Sequence, residues 1–370
     1  MLLDRGAEFN AFYDRRALSF FHGAAAGRTV FSGESPDIVF HEFGHAVLDA
    51  IRPQLWDVMA FETAAFHESF GDMSAILAAL QLRETRLAVL AETGGDLARS
   101  SRLSRLAEQL GWAIRQRTPD AVDADCLRNA VHSLSYVPPR RLPMIAPASV
   151  LSREPHSLSR VFTGAFFEAL AGMFASRATH TEADLQDVAV DMGRYLVQAV
   201  IVAPVVSSYF ARVGALLARA AAADSPAYAA AIRAAMVRRG IVSVRHAVAM
   251  TRGPVDRSAL STSALPSTHA MPMMDLDVSD YGLSVPTIRA FGVEAADPSG
   301  AHGTAPSQDP QEEASAFFDD LMAQGRIDMG TYAEPAGTAI AQPATMKTHA
   351  LERDGDHAML RRMLIDCASC

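Results

Sequence analysis

The sequence predicts an α+β chain, mainly α-helical, with a few short strands near its N-terminal end and a long irregular segment near its C-terminal end. Three observations carry this. Apolar residues recur at helical spacing through much of the stretch from Ser35 to Arg239. Glycine-punctuated apolar runs place strands within residues 7–31. After Pro254 the composition turns to Ser, Pro, Thr, Gly and Met, and helical periodicity is lost.

The strands are expected at Glu8–Tyr13, Ala17–Phe21 and Arg28–Phe31, with Gly23, Gly27 and Gly33 as turn residues. Ser35-Pro36-Asp37 reads as a helix start, with Ser35 as cap and Pro36 at the first helical position. That helix should run over 36–52 and stop at Pro53. A second helix is expected over 63–82, with others near 84–94 and 101–116. Residues 117–155 hold Pro119, Pro138, Pro139, Pro143, Pro147 and Pro155, and read as loop. From 157 to 239 the pattern is helical again, with breaks near Pro204 and Pro226. Residues 254–312 read as a partly disordered or surface-wrapping segment. A short helix near Glu312–Gln324 and a hairpin over Thr348–Asp366, turning at Asp354-Gly355, close the chain. The expected organisation is therefore a domain over 1–245 and an irregular extension over 246–370 with a short hairpin.

The bulk numbers narrow the function classes. The chain has 370 residues, 49% of them apolar, enough for a substantial core. Its net charge of −9 lacks the basic footprint of a nucleic-acid binder. Cys126, Cys367 and Cys370 do not make a disulfide framework. Cys367 and Cys370 form a CxxC that fits a redox pair, a zinc half-site or, more simply, two incidental thiols. Met1–Phe12 mixes charged and apolar residues and shows no secretory signal. The most apolar stretch, Tyr195–Phe210, contains Gln198, Pro204, Ser207 and Ser208, and reads as core rather than a membrane span. A cytoplasmic chain is the default expectation, and a secreted one if the sequence is a fragment. No membrane and no nucleic-acid partner is expected; oligomeric state is open.

His41-Glu42-Phe43-Gly44-His45 is an HExxH motif. Histidines at i and i+4 share one helix face, so both imidazoles can reach one ion. Glu42 stands beside them, where it can take a proton from an activated water. Ile38, Val39, Phe40, Phe43, Val47 and Leu48 make the helix apolar, a costly place to bury idle polar groups. A catalytic zinc needs a third protein ligand and an open position. His67-Glu68-Ser69-Phe70-Gly71-Asp72 offers Glu68 as that ligand and Asp72 as the acceptor orienting His41. His67 is a rival ligand but lies about 100° away around the helix. A motif with a third zinc-binding His further along the same helix is excluded by Leu48 and Ile51.

With these residues the chain resembles the thermolysin-like (gluzincin) zinc metallopeptidases, over residues 7 to about 175. Asn10-Ala11-Phe12-Tyr13-Asp14 looks like the family's edge strand, His45-Ala46-Val47-Leu48-Asp49 follows its HAVxD run, and Cys126-Leu127-Arg128-Asn129 looks like its LR segment. Pro155-His156-Ser157 looks like the segment whose His stabilises the tetrahedral intermediate. The resemblance implies a zincin-like catalytic core holding one zinc ion on His41, His45 and Glu68. It implies a peptide or protein substrate, with Glu42 and His156 catalytic. Asn10 and Ala11 would hold the substrate backbone by strand addition. Arg128 would hold a substrate carbonyl, and Leu127 and Ile38 would line an apolar pocket just past the scissile bond.

The same residues also fit plainer roles. His156 could cap a helix, Arg128 could bridge the core, Asn10 could serve a turn, and Asp37 could complement a helix dipole. The chain also departs from the family pattern. No Tyr occurs between His45 and Glu68; Met59 falls where the family has its catalytic Tyr, leaving zinc, His156 and another donor such as Tyr136 for the oxyanion. Asp37 matches a family calcium ligand, but its partner position falls near Ala79, so calcium is not expected. Family members carry a large sheet region before the edge strand, where this chain begins almost at that strand. The expected activity is zinc-dependent endopeptidase. The rival is a metal-binding, catalytically weak interaction module or truncated remnant.

Overall fold

The computed structural model describes residues 1–250, 270–295, 309–333 and 346–367. The class is α+β, with helices forming about half of the chain beside several small sheets. Strands β1 (Ala11–Tyr13), β2 (Leu18–Phe20), β3 (His22–Ala25) and β4 (Arg28–Phe31) precede helices α1 (Pro36–Ile51), α2 (Phe61–Ala79) and α3 (Arg83–Thr93). Short β5 (Arg105–Leu106), α4 (Glu108–Arg115) and β6 (Arg128–Asn129) follow. Then come α5 (Pro155–Ala175), α6 (Glu182–Val202), α7 (Tyr209–Ala222), α8 (Pro226–Arg238) and α9 (Val244–Met250). The remainder holds β7 (Met273–Asp277), β8 (Thr287–Phe291), α10 (Pro310–Ala323), β9 (Ile327–Asp328), β10 (His349–Asp354), β11 (His357–Arg362) and β12 (Ile365–Asp366).

The centre of the molecule is α2. Its residues from Phe61 to Met73 are buried on every face, the polar Glu62, His67, Glu68 and Asp72 among them. Phe66 packs edge-on to Phe162 of α5 and Tyr209 of α7, with ring centroids 5.2 and 5.0 Å apart. Helix α5 is long and apolar enough to cross a membrane by length and composition, and 83% of its apolar window is buried inside the protein. Pro53 follows the first residue after α1, and α6 stops before Pro204. The break at Pro226 opens α8, where Ser225 accepts from the Tyr228 amide.

Several expectations need correction. Ser35 sits at the α1 N-cap without a side-chain cap bond. The expected helix over 101–116 shrinks to α4, because Ala107 takes a left-handed conformation at φ 51° and Arg105–Leu106 pairs with β6. Gly23 lies inside β3, where a Cβ would strike the Phe9 ring; the turn falls at Ala26-Gly27, both at positive φ. Helix α1 is not buried all round: Phe40 is 41% exposed and Phe43 52%.

The largest correction concerns the presumed irregular extension over 246–370. The β10–β11 hairpin turns at Gly355 as expected, but it belongs to a five-stranded sheet of order β7-β8-β11-β10-β9. Strands β7 and β8, antiparallel, come from the stretch read as irregular. This sheet is tied to the helical part. The Met59 amide donates to the Phe291 carbonyl at 2.8 Å, the Glu294 amide to the Val205 carbonyl at 2.7 Å, and one hydrophobic core runs through both parts. Finally β12 returns to the N-terminal end and pairs antiparallel with β1, giving a three-stranded sheet β12-β1-β2. Residues 251–269, 296–308 and 334–345 of the presumed extension, and Cys370, lie outside the described residues.

Candidate metal centre

Helices α1 and α2 approach closely because glycine stands at both contact points. A Cβ on Gly44 would sit 2.9 Å from the Gly71 Cα, and one on Gly71 would sit 2.7 Å from the His41 ring. His41 therefore nests in the notch that Gly71 leaves. Across this contact α1 presents His41, Glu42 and His45, and α2 presents Glu68 and Asp72, all buried.

His41, Glu42 and His45 form a buried group that could hold a metal ion, with ligand atoms within 4.8 Å of one another. The Glu68 carboxylate reaches the same place: its oxygens lie 3.3 Å from His41 Nε2 and 3.9 Å from His45 Nε2. His41 Nδ1 donates to Asp72 Oδ1 at 2.9 Å, which turns Nε2 toward Glu68. Asp72 is itself gripped by Arg128, whose Nη2 donates at 2.8 Å and Nε at 3.2 Å.

Unmet polar groups set this cluster apart. His41 Nε2, both nitrogens of His45, both oxygens of Glu42 and Glu68 Oε2 are buried without a hydrogen-bond partner. Each such group costs on the order of 1–3 kcal/mol if left unmet, and several converge here. Both nitrogens of His67 are also unpartnered, but its ring packs against His45 and Trp56, at 5.8 and 6.4 Å between centroids.

The electrostatics of the metal-free site follow from burial and neighbours. Burial opposes the charged form of His41, yet the bond to Asp72 and the nearby carboxylate of Glu68 prevail and raise its pKa to about 9. Burial, helped by His41 and His67, drives the His45 pKa well below its ordinary value. Burial raises Glu42 to about 8, against the attraction of His41. Burial would also raise Asp72, but Arg128 and His41 reverse this and hold it well below the usual carboxylate range.

At the start of α5, His156 Nδ1 donates to Glu154 Oε1 at 2.7 Å. Its Nε2 lies 3.3 Å from Glu68 Oε2 and 2.6 Å from the Asp366 carbonyl oxygen. Burial disfavours its charge, but Glu68 and Glu154 outweigh this and raise its pKa well above the ordinary value. The α5 cap, the plainer role open to His156, is supplied by Glu154, which accepts from the Ser157 amide. A cavity of about 50 Å³, with room for water, lies between Glu68, His156, Arg326, His349, Arg362 and Asp366.

Along β1, the Asn10 side chain folds onto its own strand and accepts from the Ala11 amide at 2.8 Å. The Ala11 carbonyl accepts from the Cys367 amide at 2.9 Å. Arg128 Nη1 donates to the Cys367 carbonyl at 3.4 Å while its other nitrogens hold Asp72, so Arg128 bridges and holds a carbonyl together. Ile38, Leu127, Ala11 and Cys367 share one apolar cluster, with Val39 at its edge. Tyr136 is not at the site: its hydroxyl donates to Glu62 near the start of α2. Asp37 accepts from the Ala107 amide at 3.1 Å and so braces the entry to α4.

The structure thus brings together His41, Glu42, His45, Glu68, Asp72, Arg128 and His156, with Ile38, Leu127, Asn10 and Ala11 along the adjoining groove. Sequence reasoning missed Glu154, Asp366 and the position of Cys367. The first carried a legible signal, an acidic residue just before Pro155 at a helix start. Nothing local in the sequence marks the pairing of β12 with β1. Comparison of the chain with protein-family models, curated proteins and solved structures finds no match.

Proposed function

We propose that the chain is a zinc-dependent endopeptidase with a zincin-like core, in which His41, His45 and Glu68 hold zinc and Glu42 is the general base. One observation supports the ligand set above the rest: unpartnered buried atoms of these residues converge at a spacing that suits one small ion. Ligands about 2.0–2.1 Å from a tetrahedral ion stand roughly 3.3 Å apart, and the Glu68 oxygens stand 3.3 and 3.9 Å from the two imidazole nitrogens. The donor set, two imidazoles and one carboxylate, is the chemistry of a catalytic zinc with one position open. Zinc held there would supply Lewis acidity toward a water and a carbonyl oxygen.

The rest of the chemistry falls to side chains. Glu42, buried beside the two imidazoles, would take a proton from water. It returns that proton to the leaving nitrogen. His156, fixed by Glu154, donates through Nε2 to the oxygen that becomes negative, a role typically worth about 3 kcal/mol per donor. Asp72 orients His41, and Arg128 holds Asp72 and the carbonyl beyond the cut. An apolar residue just after the cut would enter the cluster of Ile38 and Leu127.

The test is zinc content by elemental analysis together with hydrolysis of a casein or peptide substrate, for the native chain and Glu42→Gln. The expected result is one zinc per chain in both, with hydrolysis slower by roughly 10²–10⁴-fold in the variant. Absence of bound metal, or equal rates, would overturn the reading. The rival reading, a metal-binding module of weak turnover, draws on buried Met59 standing where the resemblance places a tyrosine. Zinc binding with no hydrolysis in either protein would favour it.

A further inference from the structure

We propose that the Asp366–Cys367 peptide bond is a self-cleavage site: the chain's own C-terminal segment is the first substrate of its peptide groove. This rests on the peptidase reading above. Its foundation is the way residues 365–367 lie across the metal centre.

The segment binds as an extended peptide would. Ile365 and Asp366 pair antiparallel with Tyr13 and Phe12, and the Cys367 amide continues the ladder to the Ala11 carbonyl. Strand addition of this kind supplies main-chain hydrogen bonds to any extended peptide, while pockets read its side chains. Both pockets here are filled. The Cys367 side chain, 1% exposed, lies in the cluster of Ala11, Ile38 and Leu127. The Asp366 carboxylate accepts from Arg326 Nη1 at 3.2 Å.

The carbonyls settle which bond is presented. The one held by the His156 donor, beside Glu68, belongs to Asp366. The next, on Cys367, is held by Arg128 on the far side. Between them lies the Asp366–Cys367 bond, and Glu42 lies against Cys367. Only Met363 and Leu364 separate β12 from β11, so the segment is delivered by the five-stranded sheet and not by a long tether. Presentation within one chain makes the reaction intramolecular.

The step balances with water alone. The water oxygen adds to the Asp366 carbonyl carbon while Glu42 takes a water proton. The C–N bond then breaks, Glu42 passes that proton to nitrogen, and the second water proton, left on the new carboxyl, follows it, so that the amine departs as an ammonium. The products are a chain ending in a carboxylate at Asp366 and the free peptide Cys367–Cys370. The filled pockets define a substrate class: an acidic residue before the cut, held by Arg326, and a small apolar one after it.

The test uses the full chain and two readouts. In metal-free protein, brief alkylation followed by mass spectrometry of the C-terminal peptide reports on Cys367. Burial in the groove should slow its modification roughly tenfold or more relative to protein in urea, in the native chain and in Glu42→Gln alike. After zinc is added, intact-mass analysis should show first-order loss of Cys367–Cys370 at a rate independent of protein concentration, and no loss from Glu42→Gln. Turnover of an added peptide should begin with a matching lag. Modification of Cys367 as fast in the folded protein as in urea would overturn the proposal. So would a full-length mass in a sample that hydrolyses added peptide, a failure that leaves the peptidase reading standing. Hydrolysis of neither would bring down both.

Discussion

Helix α2 carries two buried acidic clusters, one at its start and one in its middle, and they are built on opposite principles. Near its start, Glu62 is closed in by partners: Tyr136 donates to one carboxylate oxygen and the Phe210 amide donates to the other at 2.8 Å. Nearby, Glu313 accepts from the Phe61 amide at 3.1 Å. Further along, Asp72 is similarly saturated by His41 and Arg128, yet Glu68, His45 and Glu42 keep buried atoms with no partner. Folding alone accounts for the first cluster. The second keeps unmet buried atoms that a metal ion could satisfy.

The comparison breaks most forcefully at Arg128. Replacement by Met leaves the Asp72 carboxylate buried with His41 as its remaining partner. Losing one member of a buried ion pair should destabilise the metal-free protein by about 3–5 kcal/mol, read by urea unfolding. A loss under about 1 kcal/mol would class the pair with exposed ones and refute the description. A second test sharpens the contrast. Zinc at a hundred times its dissociation constant should raise the unfolding free energy by about 2.7 kcal/mol in the native chain. Glu62→Gln should keep that increment and Glu68→Ala should lose it; equal increments in both would misplace the metal.

A third test turns on pH and belongs to Glu62. Burial raises its pKa to about 8, against the bonds from Tyr136 and Phe210. The folded state therefore keeps this proton to higher pH than the unfolded chain, whose carboxyl titrates near 4.3. The associated stability is full below about pH 4 and is lost as the pH rises toward 8. The slope is at most about 1.4 kcal/mol per pH unit. Glu62→Gln should flatten the fall in urea midpoint of metal-free protein between pH 5 and 8. An unchanged profile would assign that fall to other groups, Glu313 first among them, since burial raises its pKa to about 7.

The parts of this molecule legible in the sequence are those whose signals are local. Pro36 and Pro53 bracket α1, the HExxH spacing puts two imidazoles on one face, and Asp354-Gly355 marks the hairpin. Glu68 and Asp72 were legible as the residues a metal site would need beside two imidazoles, and both lie next to His41. Signals spread over the chain were not legible. Strand β7 is largely exposed and carries Met, Asp and Leu without clean alternation, so its pairing with β8 is decided by the core beneath it. The docking of β12 on β1 joins opposite ends of the sequence through a handful of backbone bonds, which no residue spacing encodes. The same remoteness hid Asp366 and Cys367, whose importance comes entirely from where the chain returns.

The proposed zinc site would select its ion by the way the helix pair is built. Because Gly44 meets the Gly71 backbone and the His41 ring fills the notch beside it, main chain and not adjustable side chains sets the gap between α1 and α2. A gap of that kind works as a gauge of ionic radius. Nitrogen and oxygen atoms 3.3 Å apart suit bonds near 2 Å, whereas calcium needs about 2.3–2.6 Å and more oxygen neighbours. Widening the gap for it would pull two packed backbones apart, so millimolar calcium should leave bound zinc undisplaced in a competition titration.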